Sequence, residues 1–100
     1  MKKYGKSILV VDDHEMSVKL LRQILTDAGF DVFSAHSGEE ALKLVQDFKP
    51  DLILLDIILE GLNGYKTCQV LKIMAPHLPV IFLSTVPDRE KGLQIGAVDY

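Results

Sequence analysis

Three aspartates and a serine carry the chemistry that can be read in this chain. Asp12 and Asp13 follow the apolar run Ser7-Ile8-Leu9-Val10-Val11, and Asp56 closes the run Asp51-Leu52-Ile53-Leu54-Leu55-Asp56. Ser84 follows Pro79-Val80-Ile81-Phe82-Leu83. Runs of this length with few polar breaks suit strands buried on both faces of a parallel sheet. A carboxylate at the end of such a run is open to two readings. Asp56 either stops a strand and caps the next turn, or sits at the rim where ligands gather. Asp12 and Asp13 either serve a helix start, where acids favour the dipole, or join Asp56 at that rim. If the three meet, they repel one another, and a hard divalent cation relieves the repulsion. Oxygen-only ligands with a few waters suit Mg²⁺. A metal held by carboxylates, with the Ser84 hydroxyl beside it, is what phosphoryl transfer to a carboxylate requires.

Whether they meet depends on the elements between them. After Asp13 a helical pattern carries Val18, Leu21, Ile24, Leu25 and Ala28 on one face, and Gly29 stops it. Asp31-Val32-Phe33-Ser34-Ala35 reads as a more amphipathic edge strand. Ser37 and Glu40 fit a capping box that opens a second helix, with Ala41, Leu42, Leu44, Val45 and Phe48 on its buried face. Lys49-Pro50 ends that helix, because the residue before proline avoids the helical region. The turn-rich loop Leu59-Glu60-Gly61-Leu62-Asn63-Gly64 leads to a third helix with Tyr65, Cys68, Leu71 and Met74 at helical spacing, closed by Pro76. Beyond Ser84, Pro87 suits the first turn of a short helix from Asp88 to Ile95, and Ala97-Val98-Asp99-Tyr100 starts a fifth strand. Alternating strands and helices imply a doubly wound parallel α/β sheet with right-handed crossovers and helices on both faces. The expected order is 2-1-3-4, with room for strand five beside strand four. Strands one and three are then neighbours at the switch point, which sets Asp12, Asp13 and Asp56 side by side.

The totals set limits. With 100 residues the chain is one small domain, and 48% hydrophobic content is enough for a core. A net charge of −3 argues against nucleic acid as a direct partner, since phosphate binding wants a basic surface. Cys68 is the only cysteine, so the chain has no intramolecular disulfide and no cysteine zinc site, which fits a cytoplasmic location. No apolar stretch is long enough to span a bilayer, so no membrane association is expected. His14, His36 and His77 lie in or beside loops and helix starts without metal-ligand spacing, and read as surface histidines. Cys68 reads as a packed thiol.

Taken together, Ile8-Leu9-Val10-Val11-Asp12-Asp13, Ser37-Gly38-Glu39-Glu40-Ala41-Leu42, Asp51 to Asp56, Leu62-Asn63-Gly64, Pro79 to Ser84 and Gly96-Ala97-Val98-Asp99-Tyr100 resemble the receiver domain of two-component response regulators. The pieces run in order along nearly the whole chain. The resemblance implies a flavodoxin-like fold and a signalling phosphoacceptor rather than an enzyme with an outside substrate. It implies that Asp56 takes a phosphoryl group from a histidine kinase or phosphotransfer domain. It further implies that Asp12, Asp13, Asp56 and the backbone carbonyl of Ile58 hold Mg²⁺. Ser84 would be the switch hydroxyl and Tyr100 the switch aromatic.

The chain departs from that family in places. The receiver lysine at the end of strand five, and the final helix, lie past Tyr100. The expectation is therefore a single receiver domain over residues 1–100 with strand five truncated and helix five absent. Glu60 stands where a proline is common, Asn63 where an aspartate is common, and Thr85 where a smaller residue usually follows the switch hydroxyl. An unpaired strand-four edge would invite a homodimer by edge pairing or domain swap. The alternative function is accordingly a non-switching fragment that serves dimerisation or assembly. Two other classes fit less well. A haloacid-dehalogenase-like phosphatase needs an aspartate at the position of Ile58. A flavodoxin-like cofactor binder needs a phosphate-cradling loop where this chain has Asp12-Asp13-His14-Glu15.

Overall fold

The computed structural model describes residues 6–57 and 63–83. Ser84, Ile58 and Tyr100, the short helix expected at 88–95 and the fifth strand expected from Ala97 lie outside the described residues. Seven elements alternate in type: β1 (Ser7–Val11), α1 (Glu15–Asp27), β2 (Asp31–Ala35), α2 (Gly38–Phe48), β3 (Leu52–Asp56), α3 (Gly64–Met74) and β4 (Val80–Leu83). The four strands form one parallel sheet in the order β2-β1-β3-β4, as the alternation of elements predicts.

Burial follows from the sheet order. β1 is central, and all five of its residues are buried. β3 and β4 alternate instead. Ile53, Leu55, Val80 and Phe82 are buried, whereas Leu52, Leu54, Ile81 and Leu83 are half-buried. The buried set joins Leu9, Val11, Ala41 and Val45 of α2, and Cys68 and Leu71 of α3, in one apolar cluster. Residues two apart share a sheet face, so this cluster lies under α2 and α3. Phe82 anchors it and meets Tyr65 edge-on, with ring centroids 5.3 Å apart. Full burial of one such side chain stabilises the fold by roughly 1.5–3 kcal/mol. Cys68 is fully buried, and burial pushes its thiol pKa up, as a packed, unreactive thiol requires.

Helix ends are fixed by specific residues. α1 closes on Gly29, whose φ of 102° admits a glycine readily. The Gly29 N–H reaches Thr26 O at 2.9 Å and the Phe30 N–H reaches Leu25 O at 3.1 Å, which is the two-bond Schellman pattern. Ser37 Oγ accepts the Glu40 N–H at 3.1 Å, as the capping box predicts. The reciprocal bond differs: the Glu40 carboxylate accepts from His36 N at 2.7 Å, one residue earlier than the box expects. Lys49 ends α2 in the left-handed region at φ 48°, immediately before Pro50. Asn63 caps α3, its Oδ1 accepting the Lys66 N–H at 2.9 Å.

The buried face expected for α1 is only partly buried. Val18 is buried and Leu21 and Leu25 are half-buried, but Ile24 is 54% exposed and Ala28 is exposed. Met16 and Leu20 are exposed as well. Helical spacing identifies an apolar stripe but not what covers it. Among the described residues α1 contacts β1 and β2, and no other described element covers its outer apolar side.

Two contacts tie the sheet ends to the loops. At the N-terminal end, Ser7 N–H donates to Asp51 Oδ2 at 2.7 Å, while Asp51 N–H donates to Ser7 O at 2.9 Å. At the other end, Gly64 N–H donates to Ile57 O at 2.8 Å. A Cβ at Gly64 would sit 2.5 Å from Ile57 Cα and closer still to the Asp56 carbonyl oxygen. Both obstacles are backbone and cannot swing aside. Gly64→Ala is therefore expected to destabilise the protein by about 3 kcal/mol, the upper range for overpacking. Chemical denaturation of the variant against the parent measures this, and a loss under about 0.5 kcal/mol would show that α3 can retreat from β3 at little cost.

Candidate metal centre

The register of β1 against β3 builds the site. Val11 pairs with Leu55, so the next residues, Asp12 and Asp56, leave adjacent parallel strands together. Asp12 is held from its other side by its N–H to Ala35 O at 3.1 Å, a bond to the end of β2. The acids do not cap α1 in the ordinary sense. The cap residue is His14, its side chain caps nothing, and the first-turn acid is Glu15. Asp12 instead folds back so that its Oδ1 accepts the His14 N–H at 2.9 Å. This local bond fixes the turn between β1 and α1.

One donor atom from each of Asp12, Asp13, His14 and Asp56 lies within 4.8 Å of the others. The three aspartates expected from sequence are thus brought together. His14 is the residue that sequence reading placed on the surface. Its ring is exposed, yet Nδ1 sits 2.9 Å from Asp12 Oδ1, 3.1 Å from Asp13 Oδ1 and 4.0 Å from Asp56 Oδ2. The available signal was position: His14 directly follows the acidic pair, although metal-ligand spacing between histidines is absent.

Burial is graded across the site. The Asp12 side chain is 9% exposed and that of Asp56 14%. Asp13 Oδ1 is buried and accepts no hydrogen bond, although the His14 Nδ1 lies 3.1 Å from it. An orphaned carboxylate oxygen aimed at two other carboxylates is costly without a cation. The donor set, three hard oxygens in one crevice, fits a divalent ion such as Mg²⁺. Ser84 belongs to the residue after Leu83, which pairs with Asp56 in the β3–β4 register. The described concavity between the C-terminal ends of α2 and α3, lined by Val45, Pro50, Met74 and Leu78, belongs to the opposite end of the sheet and plays no part here.

An open parallel α/β sheet with an acidic cluster at the ends of its two central strands is a doubly wound domain of the kind that binds ligands at the carboxyl ends of its strands, at the switch point. Residues 8–100 match the response regulator receiver domain family, and the chain belongs to that family. It is 44% identical over 99 residues to the alkaline phosphatase synthesis transcriptional regulatory protein PhoP of Bacillus subtilis, covering 96% of this chain and 41% of PhoP. It is 41% identical over 98 residues to the probable transcriptional regulator ycf27 of Porphyridium aerugineum, covering 95% of this chain and 40% of that protein. Among solved structures, the beryllofluoride-activated receiver domain of Klebsiella pneumoniae RstA superposes with a TM-score of 0.88 at 30% identity, covering 95% of this chain and 83% of the other. The chemotaxis protein CheY4 of Vibrio cholerae gives 0.86 at 26% identity, covering 94% and 82%.

These relatives correct one expectation. The net charge of −3 was read as excluding nucleic acid as a direct partner. Both curated relatives are named as transcriptional regulators, and the chain spans about two fifths of their length. Charge summed over these 100 residues describes only their own surface, so it does not exclude DNA as a partner of a longer protein.

The same geometry predicts a pH response. The hydrogen bond to Asp12 raises the His14 pKa above its ordinary 6.5, helped by the charges of Asp13, Asp12 and, least, Asp56. The raised value means the folded state favours imidazolium. Its contribution to stability is complete below the unfolded pKa and is lost as pH rises through the folded value. NMR titration of the metal-free protein should place the His14 midpoint above 6.5, and Asp12→Asn should move it down. A midpoint at or below 6.5 in the parent would remove the contact with Asp12 from the solution structure.

Proposed function

We propose that this chain is a phosphoacceptor whose Asp56 takes a phosphoryl group from a histidine kinase or phosphotransfer domain, in a cytoplasmic two-component pathway. The carrying observation is the convergence of Asp12, Asp13 and Asp56 at the ends of β1 and β3. In this reading Asp12, Asp13 and Asp56, with the backbone carbonyl of Ile58, hold Mg²⁺. When bound, the ion supplies positive charge to the equatorial oxygens of the transferring group. Asp56 attacks phosphorus in line. A P–O bond forms as the P–N bond of the donor phosphohistidine breaks, and the imidazole keeps the electron pair. Asp12 and Asp13 orient the site. Ser84 and Tyr100 are the switch pair by resemblance, the hydroxyl turning to the phosphoryl group and the ring following. The relatives support a regulatory output in a longer protein, one that controls transcription.

The protein promotes its own modification and has no separate substrate to turn over. The test uses a small phosphodonor, acetyl phosphate, and beryllofluoride, a mimic of the phosphoryl group, each with Mg²⁺. We expect an increase of one phosphoryl group by mass spectrometry in the parent and none in Asp56→Asn. Beryllofluoride should shift backbone resonances at Asp12, Asp56 and Ser84 only when Mg²⁺ is present. Modification that persists in Asp56→Asn at parental yield would move the phosphoacceptor elsewhere.

A further inference from the structure

Beside the carboxylates of the proposed centre lies one further donor, the imidazole of His14, which is hydrogen-bonded to Asp12 in the ion-free structure. It follows Asp13, lies outside α1 in an extended conformation (φ −94°, ψ 108°), and turns back over the strand ends. Its position can be compared with what an ion demands. An octahedral ion with bonds of about 2.1 Å sets neighbouring donors about 3.0 Å apart and opposite donors about 4.2 Å apart. Nδ1 stands 2.9 Å from Asp12 Oδ1, 3.1 Å from Asp13 Oδ1 and 4.0 Å from Asp56 Oδ2. The first two separations are those of neighbouring corners, and the third is close to a diagonal. The imidazole nitrogen thus stands at distances from the three carboxylates that one octahedral ion could span.

The main chain holds it there. Asp12 Oδ1 accepts the His14 N–H at 2.9 Å, so the backbone of His14 is tied to a proposed ligand before any ion arrives. The same oxygen also meets the imidazole Nδ1 at 2.9 Å in the ion-free structure, so an incoming cation takes the place of the proton that these two atoms share. The ring itself is 69% exposed, so its hydrogen bond to Asp12 and the neighbouring acids, rather than packing, hold it over the strand ends.

Chemistry then distinguishes the ions. Mg²⁺ is served by oxygen and water, whereas imidazole nitrogen suits first-row transition ions. Resting on the reading of the carboxylates as a metal centre, we propose that His14 is a fourth side-chain ligand through Nδ1 and sets ion preference, favouring nitrogen-accepting divalent ions such as Mn²⁺ over what the oxygen ligands alone would give. When Nδ1 binds the ion, the ring proton resides on Nε2. Mg²⁺ still binds, with water at the corner the imidazole would take.

The test compares the parent chain with His14→Ala, using Mn²⁺ and Mg²⁺ at about pH 8, where imidazole is ordinarily neutral. The exposed ring makes loss of folding in the variant unexpected, and its circular dichroism provides the check. Titration calorimetry should show Mn²⁺ affinity falling about tenfold or more in the variant, the order expected for altering a ligand shell, with Mg²⁺ affinity changed less than about twofold. Pulsed electron paramagnetic resonance on the Mn²⁺ form should show the coupling of a directly bound imidazole nitrogen in the parent and not in the variant. Absence of nitrogen coupling in the parent, or equal losses for both ions, overturns the role of His14 while leaving the carboxylate centre intact. Failure of either ion to bind the parent would overturn the centre itself, and with it the reading on which His14 rests.

Discussion

Three carboxylates at the ends of adjacent strands repel one another, and folding cannot separate them, because the pairing that juxtaposes them also closes the core. Val11 and Leu55, the last pair of β1 and β3, are fully buried in the main apolar cluster. Asp12 and Asp56 follow them directly. Relieving the repulsion by moving one strand would expose residues whose burial is worth several kcal/mol together. The charge problem must therefore be met in place. The Asp12 bond to the His14 N–H and the imidazole beside the three acids both answer that single demand, and the proposed divalent ion would answer it further. Local hydrophobic packing thus holds together charges that would otherwise move apart.

Strand assignment was the most legible part of the sequence. Continuous apolar runs ending in acid are unusual outside a parallel sheet, and β1 and β3 formed where those runs lie. Strand order followed from alternation and handedness, and it brought Asp12, Asp13 and Asp56 together as expected. The partial failures have physical causes. The α1 pattern named Ile24 as a core residue, but periodicity records a stripe without recording its cover, and Ile24 is exposed. The capping box was half right: Ser37 acts as predicted, whereas Glu40 reaches past the expected N–H to His36, a choice of rotamer that spacing does not encode. His14 was read as a surface histidine and its ring is exposed, but spacing did not show that the turn made by Asp12 brings that ring beside the acids.

Overall charge proved the weakest guide to partners. It is a sum over whatever residues are counted, and here those are about two fifths of the length of the related regulators. Site chemistry is local and survives such a change of boundary, as the three acids do. Partner chemistry is distributed and does not. The same distinction explains why family membership could be recognised from short runs in order, while an output can be proposed only through longer relatives.

The paired bonds between Ser7 and Asp51 have a meaning beyond closing the bottom of the sheet. They work as a ruler. Both strands start from this fixed mark, so their five-residue runs deliver Asp12 and Asp56 to the same height at the far end. A slip of one residue would displace Asp56 by about 3.3 Å along the strand and carry its side chain to the opposite face. Such an error is longer than a metal–oxygen bond. The tolerance of the chemistry at one rim is thus set by an unreactive acid at the other, and Asp51 calibrates the site from the far side of the molecule.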